Sequence, residues 1–387
     1  MFRPSIAYLD HAATTPLRPG ARAAMEPWLG QSFGNPSGAH AVARAARQAV
    51  DEARDVVAAT LGCAPNEVIF TSGGTEADNL AVFGVVAARA GTVLTSAVEH
   101  HAVLHPADAV GGRTVAVDAR GVLDLDSLAA LLEQHPDATL VSVMAANNEV
   151  GTVQPLGEVA RVVRKLAPDA VVHSDAVQAA AWLDIAVLAA DADLISISAH
   201  KLGGPQGVGV LVARRGTPLR PTVLGGGQER ELRSGTHNVA GIVGLAAALA
   251  AKTLARDAEL SRVSGLRDRL ADGLVAAIPS VVETAVVSGD RSHLLPGTVH
   301  LTIADVESES LLFLLDEAGV CASAASACAS GAQEASHVLA AMSVQGSATT
   351  GALRLSLGWT STDSDVDRVL EVLPSAVARL RSARRRS

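Results

Sequence analysis

A chain of 387 residues with 49% hydrophobic and only 2% aromatic residues can bury a large core built from Ala, Val and Leu, which excludes a disordered chain. A net charge of −9 with no basic stripe argues against direct nucleic-acid binding. The three cysteines, Cys63, Cys321 and Cys328, are too few for a disulfide scaffold and form no Cys-x-x-Cys pair, so reduced thiols and no metal are expected.

In chain order, Met1–Tyr8 lacks the apolar run of a signal peptide, which predicts a cytoplasmic protein. From about Glu67 to Val212, β-rich runs alternate with helical stretches: Val68–Thr71, Val93–Ser96, Thr114–Val117, Leu140–Met144, Ala170–His173, Leu194–Ser198 and Val208–Val212. That alternation predicts an α/β fold with a mainly parallel sheet covered by helices on both faces, and active groups where strands end. A glycine-rich loop at Gly225–Gly227 precedes a helical stretch from about Val239 to Ile278. Its longest apolar part, Val239–Ala251, is shorter than the roughly 20 residues that cross a bilayer, so no membrane span is expected. A strand at Thr298–Ile303, helices near Ser308–Ala318 and Ser336–Leu339, and a last helix near Asp363–Ser382 read as a smaller α/β domain. The large domain is expected over 15–255, and the small one over 256–387 together with 1–14. The basic run of Arg381 with Arg384 to Arg386 reads as a solvated tail.

Three segments carry candidate chemistry. Thr71-Ser-Gly-Gly-Thr-Glu-Ala-Asp-Asn79 follows a predicted strand and opens a helix, so Gly73, Gly74 and Thr75 form either an anion cradle or an ordinary turn with Thr75 as N-cap. Leu194-Ile-Ser-Ile-Ser-Ala-His-Lys201 brings a lysine to the end of a buried strand. A partly desolvated amine there is a nucleophile suited to Schiff-base chemistry, and a surface lysine at a loop mouth is the alternative. Val172-His-Ser-Asp-Ala-Val-Gln178 ends another strand in an acid, which either faces a protonated ring nitrogen or caps a helix.

Together, Ser-Ala-His-Lys-Leu-Gly-Gly-Pro, His-Ser-Asp-Ala-Val-Gln and Thr-Ser-Gly-Gly-Thr-Glu resemble the cysteine desulfurases, class V aminotransferase-like enzymes of fold-type I that use pyridoxal 5′-phosphate (PLP). The resemblance spans nearly the whole chain through Asp10-His-Ala-Ala-Thr-Thr-Pro16, Phe33-Gly-Asn-Pro-Ser-Gly38, Val98-Glu-His100, Asn147-Asn-Glu-Val-Gly151, Gly225-Gly-Gly-Gln-Glu-Arg230, Arg233-Ser-Gly-Thr236 and Leu353-Arg-Leu-Ser-Leu-Gly358. It implies a large PLP-binding domain with a seven-stranded sheet. Lys201 would hold PLP covalently, Asp175 would face the pyridine nitrogen, Gln178 and Asn148 would lie near the phenolic oxygen, and His100 would stack on the ring. Gly74, Thr75, Ser198 and His200 would bind the phosphate, and Thr236 the phosphate of a partner subunit's cofactor, which implies a homodimer. Arg354, helped by Asn35, would take the substrate carboxylate, although a surface salt bridge is the plain alternative for an arginine.

Ala322-Ser-Ala-Ala-Ser-Ala-Cys-Ala-Ser-Gly331 surrounds Cys328 with small residues, which predicts a mobile loop able to carry a thiol to the cofactor and a persulfide outward. It resembles the long-loop group of the family, with Ala325 in place of a glycine and Ala329 in place of a hydroxyl residue. Cys321 reads as a small buried hydrophobe, with a resolving thiol as the lesser alternative, and Cys63 as structural. The expected reaction converts L-cysteine to L-alanine and passes sulfur to an acceptor protein of an iron–sulfur, thio-cofactor or tRNA pathway. Selenocysteine lyase or another class V aminotransferase-like activity is the rival among enzymes, and a non-catalytic scaffold that binds a sulfur acceptor is the rival outside them.

Overall fold

The computed structural model describes residues 6–324, 336–344 and 351–385. Cys328, with Ala325 and Ala329, lies outside the described residues, as does Arg386.

Seven strands form the main sheet: β2 (Val68–Thr71), β3 (Thr92–Ser96), β4 (Arg113–Val115), β5 (Ala138–Ser142), β6 (Val171–Asp175), β7 (Leu194–Ser198) and β8 (Gly209–Ala213). Their order is β2-β8-β7-β6-β5-β3-β4. Most are buried along their whole length, as Val, Leu and Ile runs covered on both faces require. β8 runs antiparallel to both β7 and β2, and every other pair is parallel. The reversal has a simple cause. The connection from Ser198 to Gly209 is too short for the helical crossover that a parallel pair needs, so the chain turns straight back.

Because β8 alone is reversed, β2, β3, β5, β6 and β7 all end on the same edge of the sheet. A smaller antiparallel sheet, in the order β12-β10-β9, joins β9 (Val281–Glu283), β10 (Thr298–Ile303) and β12 (Ala352–Ser356). The short β1 (Ala7–Tyr8) pairs in parallel with β11 (Val320–Cys321), and Asp10 bridges to Ser356. The first residues of the chain therefore lie against its last third, next to the edge where the main strands end.

The helix Val239–Ala277 runs for 39 residues and packs on the helices Pro19–Met25, Ala41–Leu61 and Asp363–Arg384. The helical stretch expected from about Val239 to Ile278 is this one helix, and by length and composition alone it could cross a membrane. Its most apolar window is, however, 56% buried by the rest of the chain.

Candidate active site

The strand ends enclose a cavity of about 430 Å³. Gly74, Thr75, His100, Asn148, Asp175, Gln178, Ser198, His200, Lys201 and Arg354, all singled out in the sequence, line it. Asn35 and Thr236 do not. Both are exposed, and the Asn35 carboxamide oxygen is taken by the Ser37 N–H at 3.0 Å. Their neighbours Pro36, Ser37 and His237 face one another across a separate groove instead.

Each wall follows from local structure. β7 is buried throughout and ends in a single 3₁₀ turn, Ala199–Lys201, which swings Lys201 out over the sheet edge. There Nζ donates to the carbonyls of Ala12 at 2.5 Å and Ala13 at 2.8 Å. Gln178 donates to the same Ala12 carbonyl at 2.9 Å. The turn at residues 10–14 thus carries both the amine and the amide.

Asp175 is the last residue of β6 and buried, and its carboxylate accepts the Val177 N–H at 2.8 Å. Burial raises its pKa to about 6, partly offset by that N–H and by Lys201. Beneath it lie two further buried acids, Asp78 and Glu99, which burial pushes well above the usual carboxylate range. On the same face His173 bridges Ser142 at 2.8 Å and Ser196 at 3.0 Å, and burial lowers its pKa to about 3. The pocket floor is therefore rich in acids and short of cations.

His100 caps the helix His101–Ala109, accepting the Ala102 N–H on Nδ1 at 3.1 Å. Burial, then the charge of Lys201, lowers its pKa to about 4, so at neutral pH the ring is uncharged. With Nδ1 accepting, its proton sits on Nε2, and the ring can act as a donor toward the cavity.

The helix Gly74–Ala88 begins after Gly73 without a side-chain cap, leaving its first N–H groups without intrahelical partners. The acid of its first turn, Glu76, is held by Arg233 at 2.6 Å and by the Ser72 N–H at 2.8 Å. Close approach here depends on Gly209: a Cβ on it would lie 2.6 Å from the Gly73 carbonyl carbon and 2.7 Å from the Ile197 oxygen. An uncapped helix end, a buried acid that Lys201 offsets only in part and a strand-end amine fit one ligand with a phosphate, a basic ring nitrogen and an aldehyde.

The sequence reading missed Asp10, Asp78, Met144, Val177 and Ser323, which also line the cavity. Asp78 had a legible signal, since it follows Gly74 by one helical turn, but its burial depends on β6 and β7 packing from elsewhere in the chain.

Comparison with known proteins gives a consistent result. The family model for aminotransferase class-V matches residues 7–369. An "IscS-like cysteine desulfurase" of Mycobacterium tuberculosis is 44% identical over 392 residues, covering 98% of each chain. A "Cysteine desulfurase IscS" of Dictyoglomus turgidum is 41% identical, covering 97% of this chain and 95% of that one. Among solved structures, a "NIFS-LIKE PROTEIN" superposes with a TM-score of 0.89 at 34% identity, covering 97% of this chain and all of its own.

Proposed function

Because this chain belongs to the class-V aminotransferase family and to its cysteine desulfurases, we propose that it holds PLP on Lys201 and moves the sulfur of L-cysteine to Cys328, releasing L-alanine. The observation that carries this reading is the convergence of Lys201, Asp175 and the uncapped Gly74 helix end on one cavity. When bound, the cofactor supplies an aldehyde for the amine and a ring that withdraws electrons from the substrate α-carbon.

The residues then divide the work. Lys201, whose Nζ rests on the Ala12 and Ala13 carbonyls, would hold the cofactor covalently, and as a free amine it would carry the α-proton. Asp175, anionic, matches a protonated ring nitrogen, while Gln178 and Asn148 attend the phenolic oxygen. Gly74, Thr75, Ser198 and His200 hold the phosphate. Arg354 takes the substrate carboxylate, and the uncharged His100 ring donates a hydrogen bond from Nε2.

Cys328 attacks the substrate sulfur as a thiolate. An S–S bond forms as the C–S bond breaks, and the carbon fragment is protonated to alanine, so atoms and electrons balance without an outside oxidant. Support for this role comes from Ser323, on the cavity wall, which precedes Cys328 by five residues in the sequence.

A homodimer accounts for the exposed Thr236 and Asn35: facing away from their own cavity, they are placed in this reading to serve the site of a second copy. The domain division at 15–255 and 256–387 with 1–14 is supported by the pairing of β1 with β11. The sulfur acceptor in this reading is a protein of iron–sulfur or thio-cofactor assembly, and the compartment is the cytoplasm, which suits the free thiols of Cys63 and Cys321.

The test is reduction with borohydride after incubation with PLP, followed by peptide mass analysis. An adduct on residue 201 that is absent in Lys201→Ala supports the reading, and a colourless protein without adduct refutes it. Cys328→Ser should keep the adduct and lose persulfide formation.

A further inference from the structure

Arg354 stands in the middle of β12 and is 5% exposed. Its Nη1 donates to the Asn148 carbonyl at 2.8 Å and its Nη2 to Asp10 Oδ1 at 3.0 Å, while the buried Nε has no hydrogen-bond partner among the described residues. Asp10 and Arg354 both line the cavity. A guanidinium buried on one carbonyl could pivot about that bond, and a second anchor at another nitrogen removes the freedom.

Asp10 is itself fixed. Its carbonyl accepts the Tyr8 hydroxyl at 3.1 Å and the Ala13 N–H at 3.1 Å, and the same hydroxyl donates to the Thr14 carbonyl at 2.9 Å. The turn so pinned is the one whose Ala12 and Ala13 carbonyls hold Lys201. One short segment therefore sets the position of the fork relative to the amine.

We propose that Asp10 is a positioning residue for the substrate, holding the Arg354 fork in the single orientation that sets an α-carboxylate at a fixed distance from Lys201. This inference rests on the reading of Arg354 as the carboxylate site. Asp10 adds no attraction for the substrate, because its own charge opposes a second carboxylate on the same guanidinium. Its contribution is orientation, and orientation needs only an oxygen acceptor.

The expected signature follows from that distinction. In the PLP-loaded enzyme, Asp10→Ala should lower kcat/KM for L-cysteine about tenfold, the loss of one charge-assisted hydrogen bond. Asp10→Asn, which keeps the acceptor, should restore it to within about threefold. L-Cysteinamide has no carboxylate to place, so its binding, followed by the change in visible absorption, should weaken less than about twofold in Asp10→Ala.

Equal losses with both ligands, equal losses in the Asn and Ala variants, or no loss with L-cysteine would each overturn the proposal. Arg354→Gln separates it from the reading beneath. If that variant binds L-cysteine as the parent does, the carboxylate site itself is wrong. If it binds poorly while Asp10→Ala does not, only the role of Asp10 falls.

Discussion

Arg18 donates from Nε to the Leu202 carbonyl at 3.1 Å, one residue beyond Lys201. Its backbone N–H also donates to Gly203 at 2.8 Å, so Arg18 clamps the turn that aims the amine. The far side of the guanidinium is held by both oxygens of Glu259 at 2.9 Å, and Glu259 also takes Lys252 Nζ at 2.6 Å. Arg18 lies over the Trp359 ring at 4.9 Å and Lys252 over Trp182 at 4.5 Å.

None of these three charged side chains is more than 12% exposed, so among the described residues Glu259 is the one acid paired with both buried cations. Glu259→Ala should cost about 3–5 kcal/mol, read from the urea midpoint, because it strands both charges. Glu259→Gln should cost less, and its cofactor should be released faster because the Lys201 turn loses its clamp. A urea midpoint unchanged in Glu259→Ala would show that the network contributes nothing.

The raised pKa of Asp175 makes a signed prediction for cofactor-free protein. A carboxyl whose folded pKa is near 6 against an unfolded 3.8 favours folding at low pH, and that contribution is lost as pH rises through 6. Asp175→Asn should therefore be the more stable protein at pH 8, by about 3 kcal/mol, with the gap closing between pH 6 and 4. The same variant should retain cofactor poorly. Thermal melts of both proteins across that range check the first claim, and a gap independent of pH contradicts it.

Gly209→Ala tests the cradle from behind. The new methyl would press on the Gly73 backbone, which begins the uncapped helix end proposed to hold the phosphate, and the atoms it meets are backbone. The dissociation constant for PLP should rise about tenfold, roughly the loss of one charge-assisted contact, while the affinity of the borohydride-fixed adduct is not at issue. Unchanged PLP binding by absorbance titration would mean that Gly73 and Gly74 do not form the cradle.

What the sequence made legible was what short segments decide. Buried apolar runs announced the strands of the main sheet, and Lys201, Asp175 and Gly74 were visible because each ends or follows such a run. The reversal of β8 escaped because a parallel pattern was assumed where only a short turn links it to β7. β1 and β9 escaped because they are short, and β12, as long as most main-sheet strands, because its partner β10 is distant in sequence. Asp10 and Asp78 escaped for a related reason: a carboxylate gains a task only when a partner arrives, and Arg354 lies 344 positions from Asp10. Asn35 and Thr236 carried motif signals, yet they lie away from the cavity that one chain encloses.

Glu229, Arg230 and Glu231 adopt φ values of 45°, 58° and 65°, three successive non-glycine residues in the left-handed region. Such backbone costs about 1–2 kcal/mol per residue and persists only when neighbours enforce it. The enforcing group is Glu229, whose buried carboxylate accepts from Arg54 at 2.6 Å, His237 at 2.7 Å and the Phe70 N–H at 2.8 Å. Although burial alone would raise it, the hydrogen bonds of His237 and Arg54 bring its pKa down to about 2. A depressed carboxyl adds stability above its unfolded pKa and loses it as pH falls toward 2, so Glu229→Gln should be destabilised at pH 7 and much less so at pH 3. Glu231 is exposed, and Glu231→Gly should relieve strain and stabilise the protein by about 1 kcal/mol at both pH values. Urea titrations of the two variants separate the restraint from the strain it holds: opposite signs at pH 7 are expected, and a destabilised Glu231→Gly would show that the left-handed segment is not strained.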